Sequence, residues 1–192
     1  MDRVLSGGAV PGKAVAIYGE PGIGKSTLIG QWAGGVAELG AVLYTSGEEA
    51  QGEILRRQAR TESQHDDLYI TEDCTVKGII ESATRIGAVA VVVDSLQTLV
   101  VNGHRPGSVS SVVLGLAELS AWAKQGSVSV LFVFQVVADG QMAGPKTLEH
   151  AVDAVLEFEA TKGDGRRLKA KKNRDGAQQT ARMRMGPKGL VS

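Results

Sequence analysis

Short apolar runs rich in valine, isoleucine and alanine alternate with segments of helix length along this chain. The runs at 13–19 (KAVAIYG), 41–46 (AVLYTS), 68–70 (LYI), 88–95 (AVAVVVDS), 129–136 (SVLFVFQV) and 154–160 (AVLEFEA) read as strands. Several are apolar at every position rather than at every second one. That is the mark of strands buried on both faces, as in a mainly parallel sheet sandwiched by helices. Helices are expected at about 26–39, 49–60, 75–86 and 108–125, with Gly40, Gly87 and Gly126 as their C-terminal stops. Beyond residue 160 the texture changes: GDG at 163–165 is a turn signal, and RLKAKKNR and ARMRMG alternate charged with apolar residues as half-exposed antiparallel strands do. The expectation is one α/β domain over residues 1–192, a parallel core to about 160 followed by a basic antiparallel extension.

Composition narrows the classes. The 192 residues, 43% apolar, suit one core. A single cysteine, Cys74, excludes a disulfide framework, and His65, His104 and His150 are too scattered for metal-ligand spacing. No apolar run reaches the roughly 18 residues of a membrane span, so a reduced, cytoplasmic protein is expected. The formal net charge is +0, yet ten lysines and arginines fall between Lys162 and Lys188, against only Asp164 and Asp175.

The strongest chemical signal is GEPGIGKST, Gly19 to Thr27, which fits G-x-x-x-x-G-K-[ST] between an apolar strand and a helix. Glycines let backbone N–H groups curl around phosphates, and the helix N-terminus adds the positive end of its dipole. The segment Gly19, Glu20, Pro21, Gly22, Ile23, Gly24, Lys25, Ser26 and Thr27 is therefore expected to bind ATP. Lys25 would reach the β- and γ-phosphates, and Ser26 would ligate Mg²⁺. Asp94, closing the run AVAVVVD, fits the strand-end carboxylate that organises Mg²⁺, here through a water. Glu48 and Glu49 follow the second strand, where a carboxylate can orient or deprotonate water. Glu48 is preferred because it is nearer the strand end, although the pair also fits the first turn of a helix.

These residues, with DRVLSGGAVPG (2–12), LYTSGEEA (43–50), VVVDSLQTL (91–99), PGSVS (106–110), AGPKTLEHAVDAVLEFE (143–159) and KNRDG (172–176), resemble the RecA-like ATPase core of the RadA (Sms) family of bacterial DNA-repair proteins. The resemblance runs over nearly the whole chain. It implies an ATP-driven motor that assembles as a ring, hexameric in the family, on single-stranded DNA and assists recombination. It implies Glu48 as the catalytic carboxylate, and Lys172 and Arg174 as cations that act at the ATP of a neighbouring subunit.

The chain departs from the family in three respects. The zinc module and the Lon-protease-like domain of family members are not in this sequence, which reads as an isolated core, excised or naturally minimal. Asp175 stands where the family carries phenylalanine, and an acid beside Arg174 is expected to pair with it and shorten its reach. FQVVADG (134–140) replaces the family's G-H-V-T-K, and Gln135 resembles the glutamine with which RecA senses the γ-phosphate.

DNA contact has thinner support. The loops at about 99–108 and 137–147 would face the channel, yet offer only His104, Arg105 and Lys146. All eight aromatic residues fall in expected strands or helices, where core is the simpler reading than base stacking. Two further readings stay open: a nucleotide-controlled assembly switch with weak hydrolysis, and an autokinase of the KaiC type, which shares the paired glutamates.

Overall fold

The computed structural model describes residues 1–135 and 150–191. In chain order its elements are β1 (Ala14–Gly19), α1 (Lys25–Ala37), β2 (Val42–Ser46), α2 (Gln51–Arg60), β3 (Leu68–Thr71), α3 (Val76–Ile86), β4 (Ala90–Asp94), a 3-10 turn (Leu96–Thr98), α4 (Val109–Gly126), β5 (Ser129–Gln135), β6 (Ala154–Ala160), β7 (Gly165–Asn173), β8 (Thr180–Gly186) and β9 (Gly189–Val191). The described strands form one sheet in the order β3-β2-β4-β5-β1-β6-β7-β8-β9. Strands β3 to β6 of that order run parallel, and β7, β8 and β9 add on antiparallel beyond β6.

The continuous apolar runs have the cause expected of them: β1, β2 and β4 are buried at every position. Side chains alternate across a pleated strand, so β1 feeds two cores. Val15 and Ile17 pack with Ile29, Trp32 and Phe158 on the face covered by α1. Ala14, Ala16 and Tyr18 pack with Ile79, Leu116 and Phe132 on the face covered by α3 and α4.

Helix ends follow local chemistry. Thr75 and Ser108 cap α3 and α4 by accepting the N–H groups of Gly78 and Ser111, and Gly87 ends α3 in the left-handed conformation. At α4 the expected stop, Gly126, is still helical, and Ser127 takes the left-handed position at φ 54°. Helix α1 stops at Ala37 with Glu38 as its cap, before Gly40. At its other end α1 has Gly24 (φ 105°) in place of a side-chain cap, so its first N–H groups face outward.

The sequence pattern missed β9, and β7, nine residues long, begins two residues before the expected RLKAKKNR. Between β6 and β7 the register slips at Val155/Leu156, a bulge that carries Lys171 as the extra residue. No helix among the described residues is long and apolar enough to cross a membrane.

Candidate nucleotide site

In a parallel sheet the strand C-termini share one edge, and ligands bind in the crevice outside it. Here Gly19, Ser46 and Asp94 end β1, β2 and β4 at that edge, and the segments leaving them converge. A cavity of about 300 Å³ opens between them, lined by Gly22, Gly24, Lys25, Ser26, Glu48 and Asp94 among others.

The loop from Gly19 to Gly24 is shaped by close approach. A Cβ on Gly19 would lie 2.3 Å from the carbonyl oxygen of Phe158, so β1 can hand over to the loop only at a glycine. Lys25, 6% exposed, bends back over the loop, and its ammonium donates to the carbonyls of Gly19 and Glu20 at 2.9 and 2.8 Å. Burial lowers its pKa, while the charges of Asp94 and Glu48 work in the opposite sense and favour the ammonium. The cation is thus held inside the loop that an incoming phosphate would enter.

Asp94 is 4% exposed, and burial pushes its carboxyl above the ordinary carboxylate value. The hydroxyls of Tyr44 (2.6 Å) and Ser26 donate to it and oppose the shift, with help from the Arg57 guanidinium. A hard divalent cation takes oxygen ligands and keeps several waters. A buried carboxylate beside the Ser26 hydroxyl, at the mouth of a glycine loop holding a lysine, fits Mg²⁺ bound with a nucleotide.

The two adjacent glutamates diverge. Glu49 pairs with Arg57, whose Nη1 approaches Oε1 and Oε2 at 2.7 and 2.5 Å. Glu48 accepts from the hydroxyl of Ser95, the residue after Asp94. Arg57 Nη2 also reaches the Tyr44 hydroxyl at 3.4 Å, which completes a chain from Glu49 through Arg57 and Tyr44 to Asp94. Sequence reasoning overlooked Tyr44, Arg57 and Ser95. Arg57 sits three positions after the buried Ile54 on α2, a spacing that turns it inward, and that is the signal that could have found it.

Lys172 and Arg174 stand elsewhere. Val155 of β6 pairs with Lys172, and Ala154 with Val15, so both basic residues lie at the edge where β1 begins. Lys172 donates to the carbonyl of Val152 at 2.7 Å, and Arg174 pairs with Asp153 at 3.5 Å. Asp175 does not pair with Arg174 as expected. Lys13 holds its carboxylate at 3.2 Å, and the Asp175 N–H donates to Asn173 Oδ1.

His104 and Arg105 are exposed in the turns before α4. Gln135 ends β5, and its side chain, with Lys146 and the rest of the second expected channel loop, lies outside the described residues. The aromatics follow the core reading, with Tyr69, at 42% exposure, the outward-facing exception.

Comparison with known proteins finds relatives of this chain. A family model described as an AAA domain (AAA_25) matches residues 2–141. Proteins named DNA repair protein RadA are similar over 92% of this chain, at 40% identity in Pseudomonas aeruginosa and 39% in Streptococcus pneumoniae. The chain spans only 40% and 43% of those two proteins. Among solved structures, a DnaB-like replicative helicase superposes with a TM-score of 0.82 at 16% identity, covering 96% of this chain and 58% of that one. The RadB recombinase superposes at 0.72 and 18%, covering 98% and 94%. The fold is that of RecA-like P-loop ATPases.

Proposed function

Because this chain belongs to the AAA-domain family and is a P-loop ATPase, we propose that it hydrolyses Mg²⁺-ATP at sites shared between neighbouring copies of itself. We propose further that it couples turnover to single-stranded DNA in repair, in the cytoplasm. The observation that carries the reading is the convergence of Lys25, Ser26, Glu48 and Asp94 on one cavity while Lys172 and Arg174 lie at the opposite sheet edge.

Within one subunit the chemistry divides among the loop, α1 and the strand ends. The backbone of Gly19 to Gly24 and the N-terminus of α1 receive the phosphates, and Lys25 swings from the loop carbonyls to the terminal phosphate oxygens. Ser26 and Asp94 would hold Mg²⁺, Asp94 through a water, and the ion would supply positive charge to those oxygens. Glu48 accepts the proton of the attacking water, its carboxylate steadied by Ser95.

Among the described residues the cations that line the cavity are Lys25 and Arg57, and Arg57 is committed to Glu49. From Ala16, level with Lys172 through Val155, to Gly19 the strand covers about 10 Å at ~3.3 Å per residue, farther than a lysine side chain reaches, and Arg174 lies farther back still. Lys172 and Arg174 therefore serve the site of the next copy. Heterologous contacts of this kind close into rings when the rotation permits, and turnover becomes tied to assembly. The names of the RadA relatives, and the ten basic residues between Lys162 and Lys188, support DNA as the polymer on which that ring acts.

The test is the ATP hydrolysis rate per subunit as protein concentration rises, with and without single-stranded DNA and with Lys25→Ala as the blank. A specific rate that climbs with concentration, and climbs again with DNA, is the expected result. A flat rate at the level of the blank, with nucleotide still bound, would mean a nucleotide-controlled assembly switch instead.

A further inference from the structure

The antiparallel extension does more than carry Lys172 and Arg174. Its first residues touch the phosphate loop of their own subunit. Arg166, the second residue of β7, donates from Nε to the carbonyl of Ile23 at 2.9 Å and from Nη1 to the carbonyl of Gly165 at 3.0 Å. On the neighbouring strand β8, Met185 packs against Gly24, so closely that a Cβ there would lie 2.4 Å from its methyl carbon. Ile23 itself is 6% exposed and packs into the same core as Phe158 and Leu168. The loop is therefore gripped from behind at Ile23–Gly24 by residues that no phosphate-loop motif includes.

We propose that Arg166 is a positioning residue of the nucleotide site, fixing the Ile23–Gly24 peptide so that the Gly24 N–H points into the cavity. In a planar trans peptide the carbonyl and the following N–H face opposite sides. Anchoring the Ile23 oxygen on Arg166 therefore turns the Gly24 N–H away from the extension, toward the cavity that Gly24, Lys25 and Ser26 line. Gly24 has φ 105° and no side chain to hold it. Without the anchor the Ile23 carbonyl has lost its charged donor, and the cost of ordering the peptide falls on phosphate binding. The charge on Arg166 also strengthens the bond relative to a neutral donor.

This inference rests on the loop being a nucleotide site. It predicts an effect on binding rather than on the chemical step, because a preset N–H serves the bound ground state and the transition state alike. Hydrogen bonds to charged groups are worth about tenfold or more in an equilibrium constant. Arg166→Met should accordingly raise the KM for ATP about tenfold and weaken ADP binding, measured by titration calorimetry, by a similar factor, with kcat held within about twofold. Arg166→Lys, which keeps a charged donor on a shorter reach, should recover part of the affinity and serves if the methionine variant folds poorly. The control is Lys77→Met, since Lys77 pairs with Glu81 on α3 instead and its loss should leave both constants unchanged.

Unchanged ADP affinity in both Arg166 variants, or a fall in kcat at constant KM, would overturn the assignment. Failure of the wild-type protein itself to bind ADP would remove the reading beneath it, and the inference with it.

Discussion

Arg57 takes Glu49 in a two-oxygen ion pair while the adjacent Glu48 accepts from Ser95. Two neighbouring carboxylates thus receive different work. The Arg57 guanidinium engages both oxygens of Glu49, whereas Glu48 is held at Oε1 by the hydroxyl of the residue that follows Asp94. Glu48→Gln should lower kcat by at least about a hundredfold with little change in ATP affinity. Glu49→Gln should cost little in chemistry but about 1–3 kcal/mol in stability, because it leaves the mostly buried Arg57 without its partner. Single-turnover kinetics and denaturant melts on the two variants separate these roles. Equal kcat losses would contradict the division.

Tyr44 bears on magnesium. Burial raises the pKa of Asp94, and the Tyr44 hydroxyl at 2.6 Å opposes that rise. A carboxylate serves Mg²⁺ only when ionised, so activity is present above the carboxyl's pKa and is lost as pH falls through it. Tyr44→Phe removes the donor and lets the pKa climb further. The acid limb of the Mg²⁺-dependent rate should move to higher pH, and half-saturating Mg²⁺ at neutral pH should rise several-fold. An acid limb that stays in place would show that Tyr44 does not govern Asp94.

Lys13 decides what Asp175 does. It pairs with Asp153 and Asp175, and Asp175 heads the influences that raise its pKa. The sign follows: any stabilisation is fully present below the ordinary value of 10.5 and is lost as pH rises through the raised one. While Lys13 occupies Asp175, Asp175→Asn should change the assembled ATPase less than about twofold. Lys13→Gln should release Asp175 toward Arg174 and slow the ATPase, and adding Asp175→Asn should restore it. Steady-state rates at low and high salt check this, since exposed pairs are screened.

The parallel core was legible because burial on both faces leaves unbroken apolar runs such as AVAVVVD, and because GEPGIGKST needs glycines that ordinary turns do not. Strand ends fell within two residues of their observed positions, and β6 at 154–160 coincided. The reading was weaker where a partner distant in sequence decides. Ser127 rather than Gly126 takes the left-handed cap. Asp175 turns to Lys13, 162 positions earlier, rather than to Arg174 beside it. Helical spacing from Ile54 turns Arg57 inward, but its partners Glu49 and Tyr44, like the Arg166–Ile23 contact, are revealed only by the assembled sheet. Glu48 was preferred to Glu49 for its nearness to the strand end, and the pairing of Glu49 with Arg57 adds a structural difference between the two.

The central claim, a site completed by a neighbouring copy, is tested most directly by mixing two inactive variants. Glu48→Gln keeps Lys172 and Arg174, and Lys172→Ala keeps Glu48, so a mixed assembly contains some interfaces with every group intact. Loss of a trans-acting cation costs about a thousandfold or more in phosphoryl transfer, so even partial recovery stands far above either variant alone. The account predicts an ATPase rate that rises on mixing and peaks near equal proportions. A rate no higher than the sum of the separate variants, at every ratio and with subunit exchange verified, would contradict it.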